Sequence, residues 1–181
     1  MSRLEPLNSD TLDDEGRRIY DGIAAAHNGT VRGPWPIELR IPELADLSHR
    51  MYERLCVKTT LGKRLFELMV IVVARYWKSQ FEFWAHEKLA LDNGVSEAVT
   101  SAIRDGRMPA FTLADEALVF ALTTEINERR TLNAASYARG LAFFGEEKMV
   151  EFTIAVGYYT MLAIQLNVFD ADIPADAKRL A

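Results

Sequence analysis

Apolar residues recur along most of the chain at steps of three and four, the spacing that places them on one face of an α-helix. Ile19 and Ile23 show this spacing in the first such stretch, and Leu44 and Leu47 show it behind Pro42. No stretch shows the strict alternation of apolar and polar residues that is typical of a strand. The pattern predicts an all-α fold, a single-domain helical bundle of seven or eight helices over residues 1–181.

Residues that favour turns and caps predict where the helices begin and end. Thr11 and Asn133 are predicted N-caps, and stops are predicted at Asn93-Gly94, Asp105-Gly106 and Phe144-Gly145. A nearly all-apolar helix is predicted from about Leu61 to Trp77, and the next helix from Gln80. The segment 33–36, Gly-Pro-Trp-Pro, is predicted to be a stiff loop, because proline hinders helix formation.

The apolar helix carries one carboxylate. In the run from Leu65 to Ala74, Glu67 is the only polar residue. A carboxylate among apolar side chains costs desolvation energy unless a partner compensates it. His86, on the following helix, is the predicted partner. The basic residues near Glu67 in the sequence are the alternative partners: Lys63, Arg64 and Arg75.

The start of the following helix reads as a capping box. In Ser79-Gln80-Phe81-Glu82 the serine oxygen and the glutamate are both placed to satisfy free amides at a helix start. Glu82 also lies four residues before His86, on the same helical face. Nearby carboxylates favour the imidazolium form of a histidine. A carboxylate and a histidine at one partly dry site are therefore the parts of a proton-transfer device.

Composition narrows the class of protein. A hydrophobic fraction of 49% and a charged fraction of 26% are typical of soluble globular proteins. A net charge of -5, with no cluster of Lys and Arg, argues against a nucleic-acid partner. The single cysteine, Cys56, and an N-terminus without a signal-peptide pattern predict a cytoplasmic protein. There is no CxxC, HExxH or glycine-rich phosphate loop, so no metal and no cofactor are predicted.

One segment is long enough to cross a membrane. No charged residue occurs from Phe152 to Phe169. The segment nevertheless contains Thr153, Gln165 and Asn167, and no basic cluster flanks it. We therefore expect no membrane span, but a central helix that a neighbouring subunit partly covers.

The spacing of Glu67, Ser79, Glu82 and His86 resembles the signature of the carboxymuconolactone decarboxylase and alkylhydroperoxidase D family. In redox-active members of that family a Cys-x-x-Cys pair occupies the positions of Ser79 and Glu82. The turn at residues 89–96 and the segment at residues 157–169 resemble the family too. The resemblance covers about residues 33–169. It implies an all-helical fold and a homo-oligomer, commonly a trimer or hexamer.

The resemblance also implies a choice of activity. Because the motif lacks both thiols, the decarboxylase branch is favoured, whose small-molecule substrate is a carboxylated muconolactone of aromatic catabolism. The implied catalytic group comprises His86 as proton donor, Glu67 as its orienting partner and Glu82 as a tuning neighbour, with Ser79 beside them. The implied substrate contacts are Arg75, Trp84 and Tyr158. Two alternatives stay open: a peroxidase that uses Cys56, and a non-catalytic oligomer that binds a small acid.

Overall fold

The structure, a computed structural model, describes residues 2–181. In that range it contains eight α-helices and no strand, so the all-α prediction is confirmed. The helices are α1 (Asp14–Ala26), α2 (Trp35–Glu38), α3 (Pro42–Tyr52), α4 (Lys63–Tyr76), α5 (Gln80–Asp92), α6 (Glu97–Arg104), α7 (Ala114–Arg129) and α8 (Ala134–Val168). A 3₁₀ turn, Ser9–Thr11, precedes α1, and a π-helical turn, Glu53–Val57, continues α3.

Helix α4 is the centre of the bundle. Its ten consecutive residues from Leu65 to Ala74 are all buried, Glu67 among them. It packs against α5, α6, α7 and α8. A helix that is apolar on every side has no face to offer to water, so the other helices surround it.

The core consists of two hydrophobic clusters. The larger one is built around α4 and includes Phe83, Phe152 and Tyr159. The smaller one lies among the N-terminal helices and consists of Ile19, Ile23, Trp35, Leu39 and Ala45. Tyr52, at the end of α3, packs against both clusters. This residue therefore joins the N-terminal helices to the bundle.

Several helix ends lie where the sequence predicts them. Helix α5 ends just before Asn93, and Gly94 follows with a left-handed φ of 97°. The side chain of Asn133 caps α8 by accepting from the Ser136 amide at 3.0 Å. Gly145 interrupts α8 with φ 73° and ψ 173°, at the boundary predicted between two helices.

Two local predictions are wrong. The cap of α1 is Asp13, whose side chain accepts from the Gly16 amide at 2.8 Å, whereas Thr11 lies in the preceding 3₁₀ turn. The segment predicted to be a stiff loop contains the start of α2, with Pro36 in its first turn. Proline is tolerated there, because a first-turn amide has no partner within the helix.

Helix α8 is long and apolar enough to cross a membrane by length and composition, and 56% of its most apolar window is buried. Five apolar side chains between 39% and 58% exposed follow one face of this helix: Val150, Ile154, Met161, Ile164 and Val168. We call this set the α8 stripe. Within one chain this helix is therefore buried on one side, and the α8 stripe on its other side is exposed.

Candidate functional site

Glu67 and His86 meet between α4 and α5. His86 Nδ1 lies 2.7 Å from Glu67 Oε2, and the two side chains are 15% and 2% exposed. A carboxylate oxygen only accepts, so Nδ1 is the donor in this bond. The ring nitrogen Nε2 takes no part in it. The structure thus brings together the two residues on which the predicted proton-transfer site depends.

A tight turn sets the spacing of the two helices. Lys78 adopts φ 53°, and the Ser79 amide donates to the Ala74 carbonyl at 2.9 Å. The chain therefore enters α5 within a few residues of leaving α4. Glu67 and His86 then face each other across the two packed helices.

The basic residues near Glu67 in the sequence have other partners. Arg64 forms ion pairs with Asp115 at 2.5 Å and Glu116 at 2.6 Å. Lys63 Nζ donates to the Cys56 carbonyl. The alternative that Glu67 pairs with one of these residues or with Arg75 is therefore not what the structure shows.

A buried polar cluster that sequence reasoning missed adjoins this pair. The ring of Tyr159 meets the ring of His86 edge-on, with centroids 5.2 Å apart. The hydroxyls of Tyr52 and Tyr159 interact with the Cys56 thiol, and Lys63 Nζ lies 3.9 Å from Cys56 Sγ. Cys56 belongs to the π-helical turn, in which an extra residue per turn changes the face a side chain occupies. A search for regular helical spacing could not show this.

The cluster holds neutral donors rather than a reactive nucleophile. Burial raises the pKa of the Cys56 thiol, and the charge of Glu67 raises it further. The thiolate is the reactive form of cysteine, so Cys56 is held in its less reactive state. Burial likewise raises the pKa of Tyr159 well above its usual value, which keeps its hydroxyl protonated.

The predicted capping box does not form. Ser79 is the N-cap of α5 by backbone conformation, but its side chain makes no capping bond. The Ser79 amide already donates to Ala74, so it is not free for the Glu82 carboxylate that a capping box requires. Ser79 Oγ and both Glu82 carboxyl oxygens are buried without a hydrogen-bond partner among the residues described. Burial raises the pKa of Glu82 well above its usual value, and no bond joins it to His86.

The three predicted substrate contacts do not converge on the pair. Tyr158 donates to the Ser48 carbonyl at 3.1 Å, and its ring lies 5.5 Å from the ring of Tyr159 at the edge of the cluster. Trp84 lies under the guanidinium of Arg32 at 5.5 Å. Arg75 faces a different groove, described below. None of the three forms a hydrogen bond with Glu67 or His86 in residues 2–181.

Glu151 fixes the turn that precedes α4. Its carboxylate accepts from Arg54 at 3.0 Å, from the Thr59 hydroxyl at 2.9 Å, and from the Thr60 amide and hydroxyl at 2.9 and 2.8 Å. Burial alone would raise the pKa of Glu151, but these bonds outweigh burial and lower it. This carboxylate ties α8 to the loop from which Lys63 and Glu67 follow.

No group of three or more His, Cys, Asp or Glu side chains in the described part of the chain is placed to hold a metal ion. Comparison of the sequence and structure with protein-family models, curated proteins and solved structures found no match. The site itself consists of an imidazole that a buried carboxylate orients, beside two phenols and a neutral thiol. Such a set can exchange one proton through His86 Nε2.

Proposed function

We propose that this protein decarboxylates a small lactone acid, in the manner of the carboxymuconolactone decarboxylase family that its motif resembles. The observation that carries the proposal is the 2.7 Å contact between His86 Nδ1 and Glu67 Oε2 inside the bundle. A buried carboxylate that holds one imidazole nitrogen fixes the ring orientation and leaves the other nitrogen for proton transfer.

The proposed reaction needs no oxidant and no second substrate. The bond between the ring carbon and the carboxylate breaks, carbon dioxide leaves, and the electron pair spreads into the unsaturated lactone. The step requires His86 to start as the imidazolium: Nε2 gives its proton to carbon, the ring is left neutral with its Nδ1–H still donated to Glu67, and solvent returns a proton to Nε2. Burial keeps the hydroxyls of Tyr52 and Tyr159 protonated. Hydrogen bonds donated by these hydroxyls would stabilise the negative charge that develops on the lactone oxygen.

The peroxidase alternative has one observation in its favour, because Cys56 lies beside the Glu67–His86 pair. Two features weigh against it. The raised pKa of the thiol disfavours the thiolate that attacks a peroxide. The chain also contains no second cysteine to resolve the oxidised product.

The proposal is tested by following the absorbance of a carboxylated muconolactone with the wild type and with His86→Gln. We expect the variant to lose about 100-fold or more in kcat, since general acid catalysis contributes on that order. Glu67→Gln keeps a side chain of the same shape and should change the pH dependence of kcat. The control is Lys88→Gln, which changes an exposed side chain of the same helix, α5, and should leave turnover intact.

Three outcomes contradict the proposal. Turnover that is the same in His86→Gln as in wild type would remove the proton donor from the mechanism. Consumption of an organic hydroperoxide with a dithiol, lost in Cys56→Ser, would favour the peroxidase. Binding of the lactone acid without turnover, with folded His86→Gln unaffected, would favour a non-catalytic binding protein.

A further inference from the structure

A groove separate from the Glu67–His86 pair lies where α4 ends, beside the loop after α6 and the outer face of α7. Its volume is about 340 Å³, within the range of small-ligand sites. Its polar lining includes Arg75, Arg107 and Glu128. Arg75 follows Glu67 by eight residues, about 12 Å along the axis of α4. The groove therefore does not share its ligand contacts with His86.

The guanidinium of Arg75 lines this groove. Its Nε is buried and has no hydrogen-bond partner, and no carboxylate in residues 2–181 lies within ion-pair distance of its guanidinium. Arg64, at the other end of α4, instead forms ion pairs with two carboxylates. A buried guanidinium nitrogen without an acceptor is costly, so this position calls for an acceptor from a ligand.

Gly106 makes room for the guanidinium. It adopts φ 70°, and a Cβ at this position would collide with Arg75 Nη2. The guanidinium of Arg75 thus lies close to the backbone at Gly106, with Nη2 nearest to it. A side chain at position 106 would displace the guanidinium from this place in the groove.

The other charged and apolar residues of the groove favour a singly charged anion with an apolar body. Arg107 already pairs with Asp105 at 2.9 Å, and Glu128 adds one negative charge to the wall. A dianion such as phosphate would therefore meet one free cation and one acid. The apolar wall, which includes Tyr76, Met108 and Phe120, favours a ligand with a flat apolar body.

We propose that this groove binds a small monocarboxylate with a planar apolar body, whose carboxylate accepts hydrogen bonds from Arg75. This inference is independent of the proposed decarboxylase activity, because it uses different residues.

The probe is sodium benzoate, titrated into ¹⁵N-labelled protein while NMR follows the backbone amide signal of Gly106, a lining residue that every variant below keeps. We expect this signal to shift saturably. Arg75→Gln should weaken binding about tenfold or more, as for loss of a charge-assisted hydrogen bond. Arg75→Lys should also weaken it, since an ammonium lacks the two-pronged geometry of a guanidinium. Benzyl alcohol has the same ring without the charge. It should bind the wild type no more tightly than benzoate binds Arg75→Gln.

The matched control is Arg50→Gln, which removes the same charge from the exposed surface of α3. It should leave benzoate binding unchanged, as should His86→Gln. The inference is overturned if benzoate fails to saturate the wild type or binds folded Arg75→Gln equally well. It is also overturned if His86→Gln abolishes binding, because benzoate would then occupy the other site.

Discussion

Glu67 and Glu82 are both almost wholly buried, and their surroundings separate their chemistry. Glu67 has an imidazole partner at 2.7 Å, whereas Glu82 has none in the described chain and its pKa is raised well above normal. The first partnership could be predicted, since one carboxylate in an apolar run requires a compensating group. The isolation of Glu82 could not, because its spacing from Ser79 also fits a capping box. Which amide is free depends on the turn, and the turn gives the Ser79 amide to Ala74.

Glu82 makes stability fall as pH rises. The folded state keeps its proton above the usual pKa of 4.5, while the unfolded chain releases it. The free energy of unfolding should therefore decrease by about 1.4 kcal/mol per pH unit from this group alone. Glu38, whose pKa burial raises to about 6, contributes in the same direction at lower pH. Burial lowers the pKa of His27, which acts in the opposite direction below its usual pKa of 6.5, so denaturant unfolding above about pH 7 separates Glu82 from both groups.

The test of this prediction is Glu82→Leu. At pH 7 we expect the variant to be more stable by about 1–3 kcal/mol, because an unpartnered buried carboxyl is removed, and its pH slope above about pH 7 should flatten. Glu147→Leu, at an exposed position of α8, is the control and should keep the wild-type slope. A wild-type slope in Glu82→Leu would show that another group causes the pH dependence.

At the scale of helices, boundaries were predictable where one residue type decides the backbone. Pro42, Gly94, Asn133 and Gly145 all act locally, through a fixed φ, a left-handed φ or a side-chain cap. The π-helical turn at Glu53–Val57 was not predictable, because nothing in its residue types distinguishes it from an α-helix. That turn places Cys56 in the site, so one missed turn accounts for a missed part of the cluster.

Two serines at N-cap positions provide a matched comparison. Ser96 Oγ accepts from the Val99 amide at 3.3 Å, whereas Ser79 Oγ is buried and makes no such bond. Ser96→Ala should lower the free energy of unfolding by about 1 kcal/mol. Ser79→Ala should leave it unchanged or raise it, because the lost hydroxyl has no partner. Chemical denaturation of the two variants measures this difference. An equal loss of unfolding free energy in both variants would show that Ser79 caps α5 after all.

At the scale of the molecule, the site joins residues far apart in the sequence. Tyr52, Glu67, His86 and Tyr159 come from four helices that surround or form the centre of the bundle. Helical periodicity identifies which helices are apolar, but it gives no rule for which tyrosine meets which histidine. The all-α class was therefore predictable, and the tyrosines of the site were not. The cytoplasmic location and the absence of a nucleic-acid partner stay predictions from composition.

We propose that the α8 stripe is covered by other copies of this chain in a homo-oligomer, a trimer or hexamer. Its spacing of three, four and seven residues places it along one helix face. Ile154→Glu puts a charge in the middle of this face, and desolvating that charge in an interface is costly. We expect the variant to shift toward the monomer in light scattering coupled to size-exclusion chromatography.

The control for this variant is Lys148→Glu, which introduces the same side chain on another face of α8 and should leave the mass unchanged. A wild-type protein that runs as a monomer would contradict the proposed oligomer. Wild-type protein that stays in solution only with detergent would instead indicate that lipid covers the stripe.

Because α4 is buried on every side, hydrogen exchange of its backbone amides reports on the unfolding of the whole protein. The residues from Leu65 to Ala74 are all buried, so fraying at the ends of α4 does not expose the middle of this helix. Deuterium should enter there only when the entire bundle opens, and its rate of entry then reports the global free energy of unfolding. The same label would show, without any assay of turnover, whether a ligand added to the protein steadies the native state.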